Sequence, residues 1–227
     1  MNKQSLFANA EIVATYVDDT PRKVPGLADL HRMAALLLKE YAKRDAQILV
    51  VGAGGGMELK AIAESQPSWV FVGVDPSAVM LDLARRNLGS IKDRVELIEG
   101  TVDVVPPHFF DGATCLLTLH FLDKGERLHT LTEIRRRLKP GARLVVAHHS
   151  VGTDDAVRWL TRSAMFADSV DHSRERAAAS GETISRTLPL LSATEEVMLL
   201  HQAGFGDVEL FYAAFSFRGW TATALHP

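Results

Sequence analysis

Cysteine is almost absent from this chain of 227 residues, which contains Cys115 alone. A lone cysteine excludes an internal disulfide, and the missing CxxC and Cys/His pairs argue against a zinc site and for a reducing compartment. Cys115 stands in an apolar run, so we expect it in the core. The sequence therefore predicts no metal site.

Long apolar runs and a secretory leader are also lacking. Residues 1–10 contain no basic segment followed by an apolar stretch, as a signal peptide would. No segment approaches the roughly 20 apolar residues of a membrane span. We therefore expect a cytoplasmic protein with no membrane partner.

An excess of positive charge is the third absence. Lys and Arg number 25 against 28 Asp and Glu, for a net charge of −3. This balance creates no field that would hold a polyanion, so we expect no nucleic-acid partner. With 47% hydrophobic residues, the chain can bury one substantial core and is expected to form a single domain.

Short apolar runs alternate with amphipathic segments through most of the chain. The pattern predicts strands at 47–51, 69–74, 95–98, 112–119 and 143–147, with helices at 57–63, 77–88 and 124–138 between them. A helix at 193–203 and two strands, 208–217 and 220–225, complete the chain, with a hinge near Arg218 and Gly219. This order predicts a Rossmann-like, doubly wound α/β sheet of seven mostly parallel strands with a C-terminal antiparallel hairpin.

Two segments stand outside this alternation. The first contains a helix predicted at 27–42, and in the second Val157, Leu160, Ala164 and Val170 indicate a helix followed by a polar stretch. The expected organisation is an N-terminal helical cap (1–46), a cofactor-binding core (47–149), a substrate cap (150–191) and a C-terminal helix with its hairpin (192–227).

A glycine loop joins the first strand to the next helix. Glycines allow close approach of the backbone to a ligand and present helix-terminal N–H groups to it, so we expect Gly52, Ala53, Gly54 and Gly56 to contact a cofactor. Dinucleotide-binding loops follow G-x-G-x-x-G, whose third small residue would here be Met57. The bulk of Met57 disfavours a nicotinamide or flavin cofactor.

The end of the second strand supplies a carboxylate. Asp75, followed by Pro76, is placed to accept hydrogen bonds from two ribose hydroxyls, or alternatively to cap the helix that starts near Ser77. Met80 in the first turn of that helix either covers an adenine face or packs in the core.

The next two strand ends complete the predicted site. Thr101 and Val102 follow the third strand, where side chains meet the adenine edge, and Leu117 begins a segment to Phe121 that would face the reacting group. His120 in this segment is the candidate general base, since an ordinary histidine pKa near 6.5 suits that role. The alternative is a partly exposed loop histidine bonded to backbone.

Two further histidines end the fifth strand. His148 and His149 are adjacent, so their side chains point to opposite faces and only one of them can reach the site. In the cap, Arg158, Trp159, Arg162, Met165 and Phe166 either shape a pocket for an aromatic or anionic acceptor or form a helix with solvated arginines.

Over residues 26–150 and 192–225 the sequence resembles class I S-adenosylmethionine-dependent methyltransferases. The resemblance is carried by VVGAGGG at 50–56, VGVDPSAVMLDLAR at 72–85, VELIEGTVDVVP at 95–106, LLTLHFLD at 116–123 and IRRRLKPGARLVV at 134–146. It implies S-adenosylmethionine as cofactor and methyl transfer to a small molecule. The family usually has an acidic residue at the position of Val50 and often Asp at that of Thr101.

Within this family the closest resemblance is to carboxy-S-adenosylmethionine synthases, in LFANA at 6–10, VPG at 24–26, TLHFLDKGER at 118–127 and LFYAAFSFRGWTA at 210–222. Those enzymes use S-adenosylmethionine and prephenate, and by analogy a homodimer is expected. Their Tyr, Asn and Arg ligands of the extra carboxylate correspond to Leu27, Leu116 and Leu199, which cannot bind it. The alternatives are such a synthase, a cofactor-binding protein without catalysis, and a nucleotide-binding oxidoreductase.

Overall fold

The computed structural model describes residues 10–106, 109–168 and 173–226, which form α-helices around one sheet of seven strands. The strand order is β3-β2-β1-β4-β5-β7-β6. Neighbours among β1 to β5 are parallel, whereas β7 is antiparallel to both β5 and β6. The predicted Rossmann-like sheet with a C-terminal hairpin is therefore confirmed.

The first half of the sheet closely follows the hydrophobic pattern. Its elements are β1 (Gln47–Val51), α3 (Met57–Ser65), β2 (Val70–Asp75), α4 (Ala78–Leu88) and β3 (Val95–Glu99). Residues of β1 are apolar on both faces because helices cover the sheet on both sides. Ile48 and Val50 pack with α3 and the N-terminal helices, whereas Leu49 and Val51 pack on the opposite face.

The second half differs from the pattern at several boundaries. It contains β4 (Phe110–Leu116), α5 (Lys124–Arg137), β5 (Leu138–His149), α8 (Ala193–Gln202), β6 (Phe205–Ala214) and β7 (Phe217–Ala224). The fourth strand was predicted to continue to residue 119, but it ends where Leu117 adopts a φ of 56°. A short 3-10 turn, Leu119–Phe121, follows it.

The predicted hinge of the hairpin at Arg218 and Gly219 is wrong. The chain turns at Phe215 and Ser216, and both hinge candidates pair within β7. Gly219 owes its place to packing, since a Cβ there would lie 3.0 Å from the ring of Phe211. A glycine in a strand can mark close approach of a neighbour rather than a turn.

Four helices in the described part of the chain lie outside the alternation of strands and helices. They are α1 (Ala10–Lys23), α2 (Leu27–Lys39), α6 (Ala156–Ala167) and α7 (Arg174–Thr187). The pattern predicted α2 and α6 but neither α1 nor α7, and Val170, assigned to the cap helix, lies outside the described residues. Gly181 lets α7 approach α6, because a Cβ there would lie 2.7 Å from the Thr161 hydroxyl. No helix in the described ranges is long and apolar enough to cross a membrane.

A buried ion pair joins α5 to α8. The guanidinium of Arg127 contacts the carboxylate of Glu196, and both side chains are almost fully enclosed. Arg127 also donates to the carbonyls of Leu122 at 3.1 Å and Pro189 at 3.0 Å, and His148 Nε2 lies 3.0 Å from Glu196. The pair therefore holds the start of α8, where the chain comes back from the cap, against α5 of the core.

We expect Glu196→Ala to destabilise the protein by about 3–5 kcal/mol, because it leaves the buried guanidinium without its counter-charge. The free energy of unfolding, measured by urea denaturation, tests this. Glu182→Ala is the matched control, since Glu182 forms an exposed pair with Arg186 and should cost at most about 1 kcal/mol. Equal effects of the two substitutions would contradict the expectation.

Candidate active site

The loop between β1 and α3 follows a path that suits glycine. Gly52, Gly54 and Gly56 have φ values of 76°, 50° and 79°, in the left-handed region that side chains disfavour. A Cβ on Gly52 would also come within 2.0 Å of the hydroxyl oxygen of Thr118. The loop can therefore pass this close to β4 only with glycine at position 52.

Asp75 ends β2 and holds the glycine loop against the start of α4. Its Oδ2 accepts the N–H of Gly54 at 2.9 Å, and its Oδ1 accepts the N–H of Ser77 at 2.9 Å. Burial raises the pKa of Asp75, and these two N–H groups offset part of that rise. Each oxygen keeps a lone pair, so the carboxylate can serve the helix and still accept ligand hydroxyls.

A cavity of about 400 Å³ lies beside the loop and Asp75. This volume is within the range of small-molecule sites. The predicted cofactor residues that line it are Gly52, Gly54, Asp75, Pro76, Met80, Thr101 and Leu117. These residues come from the carboxyl ends of four strands, so the structure brings most of the predicted site together.

Three predicted cofactor residues do not line this cavity. Ala53 lines a smaller neighbouring cavity, and Gly56 directly precedes α3, where a Cβ would lie 3.0 Å from Ala84. Val102 is buried in the core on one face of the sheet. Gly56 and Val102 thus have packing roles that the loop pattern alone could not distinguish from ligand contact.

The segment after β4 turns rather than continuing as a strand. Leu117, Thr118 and Phe121 line the cavity, whereas Leu119 and His120 are buried away from it. The alternation of a strand does not apply to a 3-10 turn, in which residues three apart lie on the same side.

The structure does not bring His120 to the cavity. Its Nδ1 accepts the N–H of His149 at 3.3 Å, and burial holds its pKa well below the ordinary value. The bond to backbone agrees with the alternative interpretation of His120, but the side chain is buried and not partly exposed. A histidine with so low a pKa is a weak base at neutral pH.

His148 and His149 point to opposite sides of β5 and neither lines the cavity. His148 packs near Glu196 and Trp220, whereas Nδ1 of His149 lies 2.8 Å from the hydroxyl of Ser216. Burial lowers the pKa of His149 to about 3. Within 10–106, 109–168 and 173–226, no group of three His, Cys, Asp or Glu side chains could hold a metal ion.

Several lining residues were missed in the sequence. Tyr16 on α1 covers the glycine loop so closely that a Cβ on Gly55 would lie 3.2 Å from its ring. Glu126 on α5 also lines the cavity. Burial raises the pKa of Tyr16 to about 12. Neither residue belongs to a strand end or to the glycine motif, so only the packing of α1 and α5 shows its position.

The residues proposed for the cap pocket also lie elsewhere. Arg158 pairs with Asp155 at 2.5 Å, and the guanidinium of Arg162 stacks 4.4 Å from the centre of the Trp159 ring. Phe166 packs against Phe215 in the turn of the hairpin. Helix α1 packs against α6 and covers the glycine loop.

Comparison with known proteins agrees with this geometry. Residues 48–141 match the family model of a methyltransferase domain. Carboxy-S-adenosyl-L-methionine synthase from Klebsiella pneumoniae is 27% identical over 226 residues, which cover 93% of this chain and 88% of that protein.

Solved methyltransferases share the fold. An O-methyltransferase family protein from Burkholderia thailandensis superposes with a TM-score of 0.69 at 14% identity, covering 98% of this chain and 63% of that one. Human N-acetylserotonin methyltransferase, solved in complex with S-adenosylmethionine, gives a TM-score of 0.62 at 17% identity and covers 100% of this chain. This chain spans 61% of the human enzyme.

The sheet topology, the glycine loop and the match over residues 48–141 are together those of class I S-adenosylmethionine-dependent methyltransferases. The resemblance seen in the sequence is therefore confirmed, and the cofactor of this class is S-adenosylmethionine.

The described residues fit that cofactor. A Cβ on Gly54 would meet Met80 Cε at 3.4 Å and the Tyr16 hydroxyl at 3.6 Å, so the glycine keeps the space between these side chains open. We propose that Asp75 would offer a carboxylate to the ribose, Met80 an apolar surface to the adenine face, and Thr101 a hydroxyl at the adenine edge. The hydroxyl of Thr101 donates to Asp103 at 2.7 Å and still has lone pairs to accept a ligand bond.

Asp75→Ala should weaken binding of S-adenosylhomocysteine by about 1–3 kcal/mol, because it removes the ribose acceptor and a bond to the loop. Isothermal titration calorimetry measures the change. Asp82→Ala is the control, since Asp82 on α4 forms an exposed pair with Arg85. An affinity unchanged by Asp75→Ala would exclude the ribose role.

Gly52→Ala should raise the Kd for S-adenosylhomocysteine more than about tenfold, because the added methyl displaces Thr118 at a cost of about 1–3 kcal/mol. Gly89→Ala is the matched control. Gly89 also has a positive φ, of 54°, but a Cβ there meets nothing within 4 Å. Comparing the two variants by the same calorimetric titration separates the effect of backbone strain from that of the clash with Thr118. Equal Kd values for the two variants would refute the role of the clash.

Proposed function

We propose that this protein transfers the methyl group of S-adenosylmethionine to a small-molecule acceptor in the cavity beside the glycine loop. The observation that carries the proposal is one cavity with two different walls. Gly52, Gly54 and Asp75 form a polar wall suited to the cofactor, and Leu116, Phe121 and Leu122 form an apolar wall beside it. An acceptor bound against the apolar wall would lie next to the cofactor.

The chemistry requires little of the protein beyond positioning. The cofactor supplies a methyl group that its positively charged sulfur already activates. Residues of this chain then align the acceptor and exclude water, which contributes through proximity and desolvation. Leu116, Phe121 and the ring of Tyr16 provide this enclosure.

The proposed transfer does not use His120 as its base, because that residue is buried outside the cavity and its pKa is low. Tyr16 keeps its proton at neutral pH, since its pKa is raised to about 12. The acidic residues lining the cavity are Asp75 and Glu126, and Oε2 of Glu126 accepts the N–H of Asp123 at 2.8 Å. We therefore propose Glu126 as the lining residue that would receive a proton from the acceptor or bind a cationic acceptor.

The charged side chains that line the cavity limit the kinds of acceptor it can bind. Among the described residues that line it, acidic side chains are present and Lys and Arg are absent. The carboxylates of Asp75 and Glu126 would repel an anionic acceptor. We therefore propose a neutral or positively charged acceptor with an apolar part, in place of the aromatic or anionic acceptor considered from the cap residues.

The second candidate is the reaction of carboxy-S-adenosylmethionine synthases, favoured by the relative from Klebsiella pneumoniae that aligns with most of this chain. The carboxylate of that product requires polar ligands. Leu27 and Leu116 line the cavities with apolar side chains, and Leu199 is buried in the core. These positions support methyl transfer over carboxylation.

Calorimetric titration with S-adenosylmethionine and S-adenosylhomocysteine tests the cofactor, and we expect saturable binding of both. Incubation with S-adenosylmethionine and a panel of neutral and cationic small molecules, followed by mass spectrometry, should then show a methylated product. Absence of binding at millimolar cofactor would refute the proposal.

A parallel incubation with prephenate distinguishes the second candidate. If a carboxylated cofactor forms in that mixture, the synthase reaction, and not methyl transfer, is the function of this protein. Binding of the cofactor without turnover of any acceptor would instead favour a binding protein without catalysis.

A further inference from the structure

Glu58 is a buried acidic residue that the site described so far does not use. It lies in the first turn of α3, directly after the glycine loop, and is only 7% exposed. Its Oε1 atom is enclosed and accepts no hydrogen bond. A buried carboxyl without a full set of partners costs free energy, so its position calls for a physical reason.

A small cavity of about 30 Å³ adjoins this carboxyl. It shares Tyr16, Gly52, Leu116 and Leu117 with the larger cavity, so the two cavities adjoin at these residues. The volume is close to that occupied by one water molecule. An ammonium group is of that size, and the rest of an amino-acid chain would extend toward the glycine loop.

The sheet register relates Glu58 to Val50, where this family usually has an acidic residue. Val50 of β1 pairs with Thr114 of β4, and the two side chains therefore share a face of the sheet. The hydroxyl of Thr114 is near enough to lower the pKa of the Glu58 carboxyl, although neither Thr114 Oγ1 nor Glu58 Oε1 has a hydrogen-bond partner among the described residues. Glu58 thus brings a carboxyl from α3 to the face on which a carboxylate at position 50 would lie.

The surroundings of Glu58 offer it no cation. Burial raises the pKa of Glu58 to about 8, and the Thr114 hydroxyl offsets part of the rise. Its titratable neighbours are Tyr16, with a pKa raised to about 12, and His31, with a pKa lowered to about 4, both by burial. These two groups are uncharged near neutral pH.

Two further groups lie near enough to matter electrostatically. Burial raises the pKa of the Cys115 thiol, which keeps that group neutral. Asp75 lines the larger cavity and adds negative charge near Tyr16. The described groups around Glu58 therefore favour a positively charged ligand and supply none themselves.

We propose that Glu58 binds the α-ammonium group of S-adenosylmethionine, in place of the acidic residue that Val50 has replaced. The inference rests on the proposed function, because it requires the methionine half of the cofactor to lie along the glycine loop. An ammonium at Oε1 would supply the missing counter-charge, and the N-terminus of α3 also favours an ionised carboxylate there.

The test compares two ligands that differ in the amino-acid half. S-adenosylhomocysteine carries the α-ammonium, whereas 5′-methylthioadenosine lacks it and keeps the nucleoside. We expect Glu58→Gln to weaken S-adenosylhomocysteine about 10- to 100-fold and to leave 5′-methylthioadenosine unchanged, as measured by calorimetry. Glu64→Gln, an exposed position on the same helix, is the control and should change neither affinity.

The wild-type protein provides a second measurement that needs no substitution. Glu58 is mostly protonated in the free protein at pH 7, and pairing with the ammonium would lower its pKa, so binding would release a proton. S-adenosylhomocysteine should therefore bind more tightly as the pH rises from about 6 to about 8, by up to about tenfold per unit, while 5′-methylthioadenosine shows no such trend.

Equal affinities of the wild type and Glu58→Gln for S-adenosylhomocysteine, or a flat pH profile, would overturn the inference and leave the proposed function intact. Parallel loss of both ligands in Glu58→Gln would also overturn it, because the substitution would then act on the whole site. Failure of the wild type to bind S-adenosylhomocysteine at all would refute the proposed function itself.

Discussion

The carboxylate of Asp75 accepts hydrogen bonds from backbone N–H groups of two separate segments, the glycine loop at Gly54 and the start of α4 at Ser77. These bonds hold the loop after β1 against the helix after β2. The spacing of the loop, of Met80 and of the cavity wall depends on them. One carboxylate thus joins two segments of the fold and lines the cavity in which we propose that the cofactor binds.

The protein buries charge in two contrasting ways. Arg127 and Glu196 enclose each other and tie the return from the cap to the core, so their charges are balanced within the fold. By contrast, Oε1 of Glu58 has no hydrogen-bond partner among the described residues, and burial raises the pKa of this carboxyl to about 8, so that it is mostly protonated in the free protein at pH 7. Balanced burial stabilises structure, whereas unbalanced burial creates a preference for a positively charged ligand.

Local patterns were sufficient for the parallel half of the sheet and for most of the cofactor wall. Gly52, Gly54 and Asp75 lie where a strand end predicts, because the carboxyl ends of parallel strands converge. The same reasoning failed for the hairpin, where position 219 requires glycine because the ring of Phe211 packs against it. It also failed for His120, which lies in a 3-10 turn and is directed away from the cavity. These outcomes depend on neighbours distant in sequence.

The sequence by itself determined the order of elements, the sheet class and the cofactor family, because hydrophobic period and glycine spacing act over short stretches of chain. The tertiary structure alone decided that Tyr16 covers the loop and that Glu58 lies by Thr114. It also decided that His120 is buried with His149. Burial, and with it pKa and access to ligand, is set by the packing of several elements at once, and no local pattern records that packing.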